Sequence, residues 1–205
     1  MAVQSAVTPN RRGMKSRELV LDAAERVMAE DGFEAATLAR VVAESGIPIS
    51  SVYHYYGSKD GILLAVMERG AERFFADLPD PDERLGTAAQ HVRQVVSTVV
   101  QTLARHSSFL RLLIVFAIQP PKTEGEGDAV VGRVREMALV RLRKQLSLAF
   151  GDDPRSAAIA QLARFALAAF DGAFIAARTD PDATLEQMLK PLPSALVAVR
   201  RQLAS

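Results

Sequence analysis

Residues 37–59, TLARVVAESGIPISSVYHYYGSK, constrain this chain more than any other stretch. Thr37 suits a helix N-cap, where its hydroxyl accepts from one of the unpaired amides that open a helix. Leu38, Val41 and Val42 follow at helical spacing and make a short apolar face. Gly46 supplies a left-handed turn that a residue with a Cβ resists. Pro48 fixes φ near the start of a second short helix, where its missing N–H does no harm. On that helix Ile49, Val52 and Tyr56 are expected on one side and Ser50, Ser51 and His54 on the other, with Tyr53 and Tyr55 on the flanks. Two short helices joined by a glycine turn, residues 37–56, form a helix-turn-helix. Its second helix offers hydroxyls, an imidazole and phenols of a size to reach base edges or phosphates in a major groove.

Thr37, Gly46 and then V-Y-H-Y-Y-x-S-K resemble the DNA-binding domain of the TetR family of bacterial regulators. The resemblance covers roughly residues 14–75, under a third of the chain. Tyr53, Ser58 and Lys59, at these offsets after Gly46, are its specific core. Three positions depart from the family pattern. Val42 stands where the family often has Ala, and Arg40 and Gly61 stand where an acid often completes a capping box. Arg40 is either an unfavourable charge near a helix start, where the dipole prefers an anion, or an additional phosphate contact.

Charge is informative only locally. The chain carries +1 overall, and its first sixty residues hold seven Lys and Arg against eight Asp and Glu. Arg11, Arg12, Lys15 and Arg17 nevertheless precede the first acid, Glu18. This local +4 suits phosphate binding with a steep salt dependence. The absence of cysteine excludes disulfides and Cys-ligated metals and suits a cytoplasmic protein. No secretory signal is read at the amino end. The most apolar segment, residues 165–177, is interrupted by Asp171 and is expected to be too short for a membrane span.

Helical periodicity runs the length of the chain, with no useful strand-like alternation, so the fold class is all-α. Residues 1–13 are expected to be a flexible basic arm. Residues 14–76 form a small DNA-binding domain of three to four helices. Its first helix runs over 15–31, with Phe33 packing back on it, and Ser58 caps its fourth. There the helix N-terminus and Lys59 make a phosphate clamp. Leu78-Pro79-Asp80-Pro81 marks the domain boundary. Residues 84–205 form a larger helical bundle, with helices over 84–105, 107–118 and 129–150 and a loop over 119–128. Residues 156–178 are apolar nearly all round, which predicts a fully buried helix. The final segment carries a seam at Leu185, Met188, Leu189, Leu192, Leu196, Val199 and Leu203. Pro191 and Pro193 are expected to kink or divide it.

The resemblance implies that these last two helices make a four-helix interface in a homodimer. The same pattern alone also suits an intrachain core. Two recognition helices about 34–36 Å apart read successive major grooves of a near-palindromic double-stranded DNA operator. Ser50, Ser51 and His54 are expected at base edges. Tyr53, Tyr55, Lys59 and Thr37, with Lys15 and Arg17, are expected at phosphates, as the family's matching positions are. The resemblance further implies a repressor released by a small apolar effector. Candidate lining residues are Phe109, Leu113, Phe116, Met137, Phe165 and Phe170, which serve equally as plain core. An activator or a partner-controlled regulator has the same sequence signature. An enzyme does not fit well: His91 and His106 lie four turns and roughly 22 Å apart on one helix, too far to share a metal. No nucleophile motif or glycine-rich phosphate loop is present. No cofactor, metal or membrane partner is expected.

Overall fold

A computed structural model describes residues 11–31, 35–118 and 126–203. Among them are ten α-helices and no strand, so the all-α expectation holds. In chain order these are α1 Arg11–Asp31, α2 Leu38–Ser45, α3 Ile49–Tyr56, α4 Lys59–Ala76 and α5 Ala88–Arg105. They continue with α6 Ser107–Ile118, α7 Glu126–Phe150, α8 Ala157–Thr179, α9 Leu185–Leu189 and α10 Leu192–Leu203. The chain resolves into two compact units whose boundary falls within α4, between Arg69 and Gly70.

Several helix limits differ from expectation for local reasons. Most of the expected arm, residues 1–10, lies outside the described residues, but residues 11–13 already belong to α1. Arginine is a good helix former, so the helix extends through the basic cluster. Phe33 also lies outside the described residues. The helix expected from residue 84 starts at Ala88 because Thr87 and Gln90 form a capping box. The Thr87 hydroxyl accepts from Gln90 N–H at 3.3 Å, and Thr87 N–H donates to Gln90 Oε1 at 2.9 Å. The two prolines do divide the final segment. α9 has its own box at Thr184 and Gln187, and α10 begins only at Leu192.

In the first unit, Val20, Ala24 and Val27 of α1 pack in a core with Val41, Val52, Ile62, Leu63 and Met67. Arg69 fastens this unit electrostatically. It is only 8% exposed, and its two terminal nitrogens donate to Glu18 Oε2 (3.0 Å), Asp22 Oδ1 (2.8 Å) and Glu25 Oε2 (2.8 Å). These acids lie at i, i+4 and i+7, one stripe of α1. Burial opposes the guanidinium charge, but the three carboxylates outweigh it and hold its pKa above the ordinary arginine value.

The second unit buries Val92, Val96 and Leu103 of α5, Val134 and Leu146 of α7, and Ile159, Leu162, Ala166 and Phe170 of α8. α8 is 23 residues long and apolar enough by length and composition to cross a membrane, longer than the sequence segment suggested. It is not fully buried, contrary to expectation. One face packs in the bundle, while Phe165, Ala168, Gly172 and Ile175 are exposed.

His91 is completely buried in this unit. Its Nδ1 accepts from the Leu85 N–H at 3.0 Å, which leaves the proton on Nε2 to donate to Gln145 Oε1 at 3.1 Å. Gln145 Nε2 in turn donates to Asp80 Oδ1 (2.9 Å) and the Pro81 carbonyl (3.2 Å). The proline-rich segment before α5 is thereby pinned to α5 and α7. His106 caps the end of α5 and meets Asp77 Oδ2 at 2.9 Å. Both histidines outside the helix-turn-helix hold backbone segments in place.

Candidate functional site

Capping places the helix-turn-helix. Thr37 Oγ1 accepts from Arg40 N–H at 3.3 Å and keeps its own hydroxyl proton to donate outward. Gly46 sits at φ 66° and its N–H closes α2 on the Val42 carbonyl at 3.0 Å. The Pro48 carbonyl accepts from Ser51 and Val52 N–H, opening α3. Ser58 Oγ then accepts from Gly61 N–H at 3.0 Å and caps α4, so Lys59 stands in the first turn of a capped helix. At Gly61, off the family pattern, the backbone packs closely: a Cβ there would lie 1.9 Å from the Tyr56 carbonyl oxygen.

The faces of α3 divide largely as expected, with one correction. Val52 is buried at 1% exposure, and Tyr56 is half-buried with its hydroxyl donating to the Arg17 carbonyl at 3.0 Å. Burial pushes the Tyr56 phenol up to about 12. Ile49, placed on the packing side from sequence, is instead 49% exposed. It lies one turn before Tyr53 on the helix and forms an exposed strip with Ser50, Tyr53 and His54. Ser51 and Tyr55 are half-buried at the strip's margin. Register alone does not reveal this, since position 49 stands only about 60° round the helix from Val52 and about 20° from Tyr56. As the first residue of α3 it has no preceding turn to cover it.

One cation, Arg17, is held against α3. The Arg17 guanidinium lies over the Tyr55 ring, 5.2 Å from its centroid, and Tyr55 packs tilted against His54 at 5.7 Å. Lys15 is exposed on α1, and Lys59 is half-buried. Arg40 is now explained. Its Nη2 donates to Glu30 Oε2 (3.1 Å) and Glu44 Oε1 (3.3 Å), so its charge is matched inside the unit. Together Arg40 and Arg69 engage five acids, Glu18, Asp22, Glu25, Glu30 and Glu44. A unit without net positive charge can in this way present cations beside α3 while its acids are neutralised elsewhere.

The second unit contains a cavity of about 400 Å³ with mainly apolar walls. Of the expected lining residues, Phe109, Leu113 and Phe170 line it, with Phe74, Phe75 and Leu103. Two expectations are corrected. Met137 and Phe165 are 43% and 42% exposed and are not on its wall. On α7 the wall includes Val134, Ala138, Arg141 and Leu142, and Met137 lies about 85° round the helix from the mean direction of these four. Phe165 is on the exposed face of α8, opposite the buried Phe170 face. The Phe116 side chain lies outside the described residues. Polar groups not foreseen from sequence also reach the wall: Arg135 bonded to Asp171 at 2.6 Å, and Arg141.

Residues 20–66 match the family model for bacterial regulatory proteins of the tetR family. The transcriptional regulator UidR of Escherichia coli is 22% identical over 98 residues, 48% of this chain and 50% of that protein. The chain thus spans about half the length of this relative. The transcriptional repressor AcnR of Corynebacterium glutamicum is 34% identical over 58 residues, 28% of this chain and 31% of that protein. In three dimensions the chain is similar to a putative TetR-family transcriptional regulator from Syntrophomonas wolfei. The TM-score is 0.70 at 13% identity, covering 91% of this chain and 95% of that one. The matched segment contains both helices of the glycine-turn motif and the Ser58-capped start of α4, and the all-helical likeness extends over most of the chain. Residues 20–66 thus match the tetR family of bacterial regulatory proteins, and the fold over most of the chain is that of solved TetR-family regulators.

Proposed function

We propose that this protein is a sequence-specific DNA-binding transcriptional repressor that acts as a homodimer and leaves its operator when a small molecule enters the cavity of its second unit. The observation that carries the reading is the exposed strip Ile49, Ser50, Tyr53 and His54 on α3, with Arg17 over the neighbouring Tyr55 ring. Ser50 and His54, with Ser51 at the margin, read base edges, and Ile49 adds an apolar contact suited to a thymine methyl. Tyr53, Tyr55, Thr37, Lys15, Arg17 and Lys59 hold phosphates and set the register.

Dimerisation is supported by the exposed α8 face. Phe165 and Ile175 flank the small residues Ala168 and Gly172, and a Cβ at Gly172 would touch nothing within 4 Å. Such a face admits a second helix at close range and leaves two large apolar side chains for it to cover. The cavity binds the effector, which releases DNA by favouring the state that binds DNA poorly. By linkage, DNA weakens effector binding by the same factor. The reading places the protein in the cytoplasm with its DNA.

The test is selection of bound fragments from genomic DNA, followed by gel shift on the recovered sites. Tyr53→Ala and Lys59→Ala are each expected to weaken binding about tenfold or more, with affinity falling steeply as salt rises. Unchanged affinity in both variants, or a flat salt response, overturns the DNA reading. A monomer at micromolar concentration by sedimentation overturns the two-half-site model.

A further inference from the structure

The cavity's charged groups are unequally committed. Asp171 is bonded by Arg135 at 2.6 Å, so that pair contributes no net charge. Asp80 has both oxygens engaged: Oδ1 accepts from Gln145 and Oδ2 from Lys144, each at 2.9 Å. Arg141 is different. It lines the same cavity, lies 5.5 Å from the Phe75 ring centroid, and among the described residues makes one hydrogen bond, from Nη1 to the Leu78 carbonyl at 3.2 Å. A guanidinium has five N–H donors and no acceptor. Arg141 therefore brings further N–H donors to a wall that is otherwise mainly Phe, Leu and Val, and its charged neighbour there, Asp80, has both oxygens taken by Gln145 and Lys144. Arg141 is only half-buried, so these donors are open to a ligand entering the cavity.

We infer that the cavity takes an amphiphilic monocarboxylate, with its carboxylate on Arg141 and its apolar body against Phe74, Phe109, Leu113 and Phe170. This rests on the effector-cavity reading above and adds the ligand's chemical class. The planar fork of one guanidinium matches one carboxylate. A dianionic phosphate needs further cations, and Arg135 and Lys144 are already held by aspartates. A cationic ligand finds both aspartates occupied. The volume, about 400 Å³, falls within the range of small-molecule sites.

Isothermal titration of the full chain with decanoate, decanol and decyltrimethylammonium, all below micelle formation, tests the inference. Decanoate is expected to bind about ten- to a hundredfold tighter than decanol, the worth of charge-assisted hydrogen bonds. Arg141→Gln is expected to abolish that preference while leaving decanol binding intact, which also reports that the cavity is still formed. If Arg141→Gln does not fold, the ranking of the three probes on the wild-type chain decides alone. Decanol binding as tightly as decanoate, preference for the ammonium, no binding by any probe, or a decanoate preference that survives Arg141→Gln each overturns the inference. Operator release is measured separately by gel shift. Decanoate that binds as expected but leaves operator affinity unchanged sinks the ligand-controlled repressor and leaves the carboxylate site standing.

Discussion

Replacing Arg69 with Met keeps much of the apolar stem and removes the charge that gathers Glu18, Asp22 and Glu25. Three charge-assisted bonds at 2.8–3.0 Å are lost. Bonds to charged groups contribute about 1.5–3 kcal/mol each when desolvated. Here the three carboxylate side chains are 59%, 44% and 37% exposed, so each rehydrates when released and each bond must be discounted to about 1 kcal/mol or less. Arg69 also leaves its buried Nε without a partner, a standing cost that Met removes. Against that, three acids at i, i+4 and i+7 repel one another once the cation is gone. The net expectation is a loss of about 2–3 kcal/mol. The assay is set by composition. All three tyrosines, Tyr53, Tyr55 and Tyr56, lie on α3, and the chain has no tryptophan. Tyrosine fluorescence during urea unfolding therefore reports the first unit selectively. Asp22→Asn in the Arg69→Met background is expected to recover part of the loss, although Asp22→Asn alone destabilises. A double-mutant coupling of about 1 kcal/mol is the signature of direct interaction. An Arg69→Met variant within about 0.5 kcal/mol of wild type, or strictly additive effects, refutes the reasoning.

Tyr56, with a folded pKa raised from 10.0 to about 12 by burial, contributes stability that is complete below pH 10 and is lost as pH rises toward 12. Alkaline absorbance titration should find one of the three tyrosines ionising last, and Tyr56→Phe should remove that late step and cost about 0.5–1.5 kcal/mol. Arg200, bonded to Asp152, holds that carboxyl below its ordinary range. Its contribution is present above the ordinary aspartate pKa and is lost as pH falls through the lowered value, so Asp152→Asn should flatten the acid limb of the second unit's stability curve followed by circular dichroism. Ile49→Ser should leave tyrosine-detected stability within about 0.5 kcal/mol, since Ile49 is exposed, yet change the base preferred at one operator position in a binding selection. An unaltered preference removes Ile49 from the readout.

The sequence by itself determined what depends on near neighbours. Thr37, Gly46, Pro48 and Ser58 set the ends of α2, α3 and α4 through bonds that reach three or four residues. The prolines at 191 and 193 divided the final seam by the same local rule. Only tertiary structure decided which faces of apolar helices are covered. α8 is apolar around most of its circumference, so periodicity could not distinguish the buried Phe170 from the exposed Phe165. Nor could it place groups whose partners lie far along the chain. Arg69 meets α1 acids 44 to 51 residues away, His91 meets Gln145 across 54, and Arg141 meets Leu78 across 63. Such pairings depend on how helices pack, which local periodicity does not encode. They decide how Arg40 and Arg69 come to match the acids of the first unit, and why a cavity that looked merely greasy has a guanidinium on its wall.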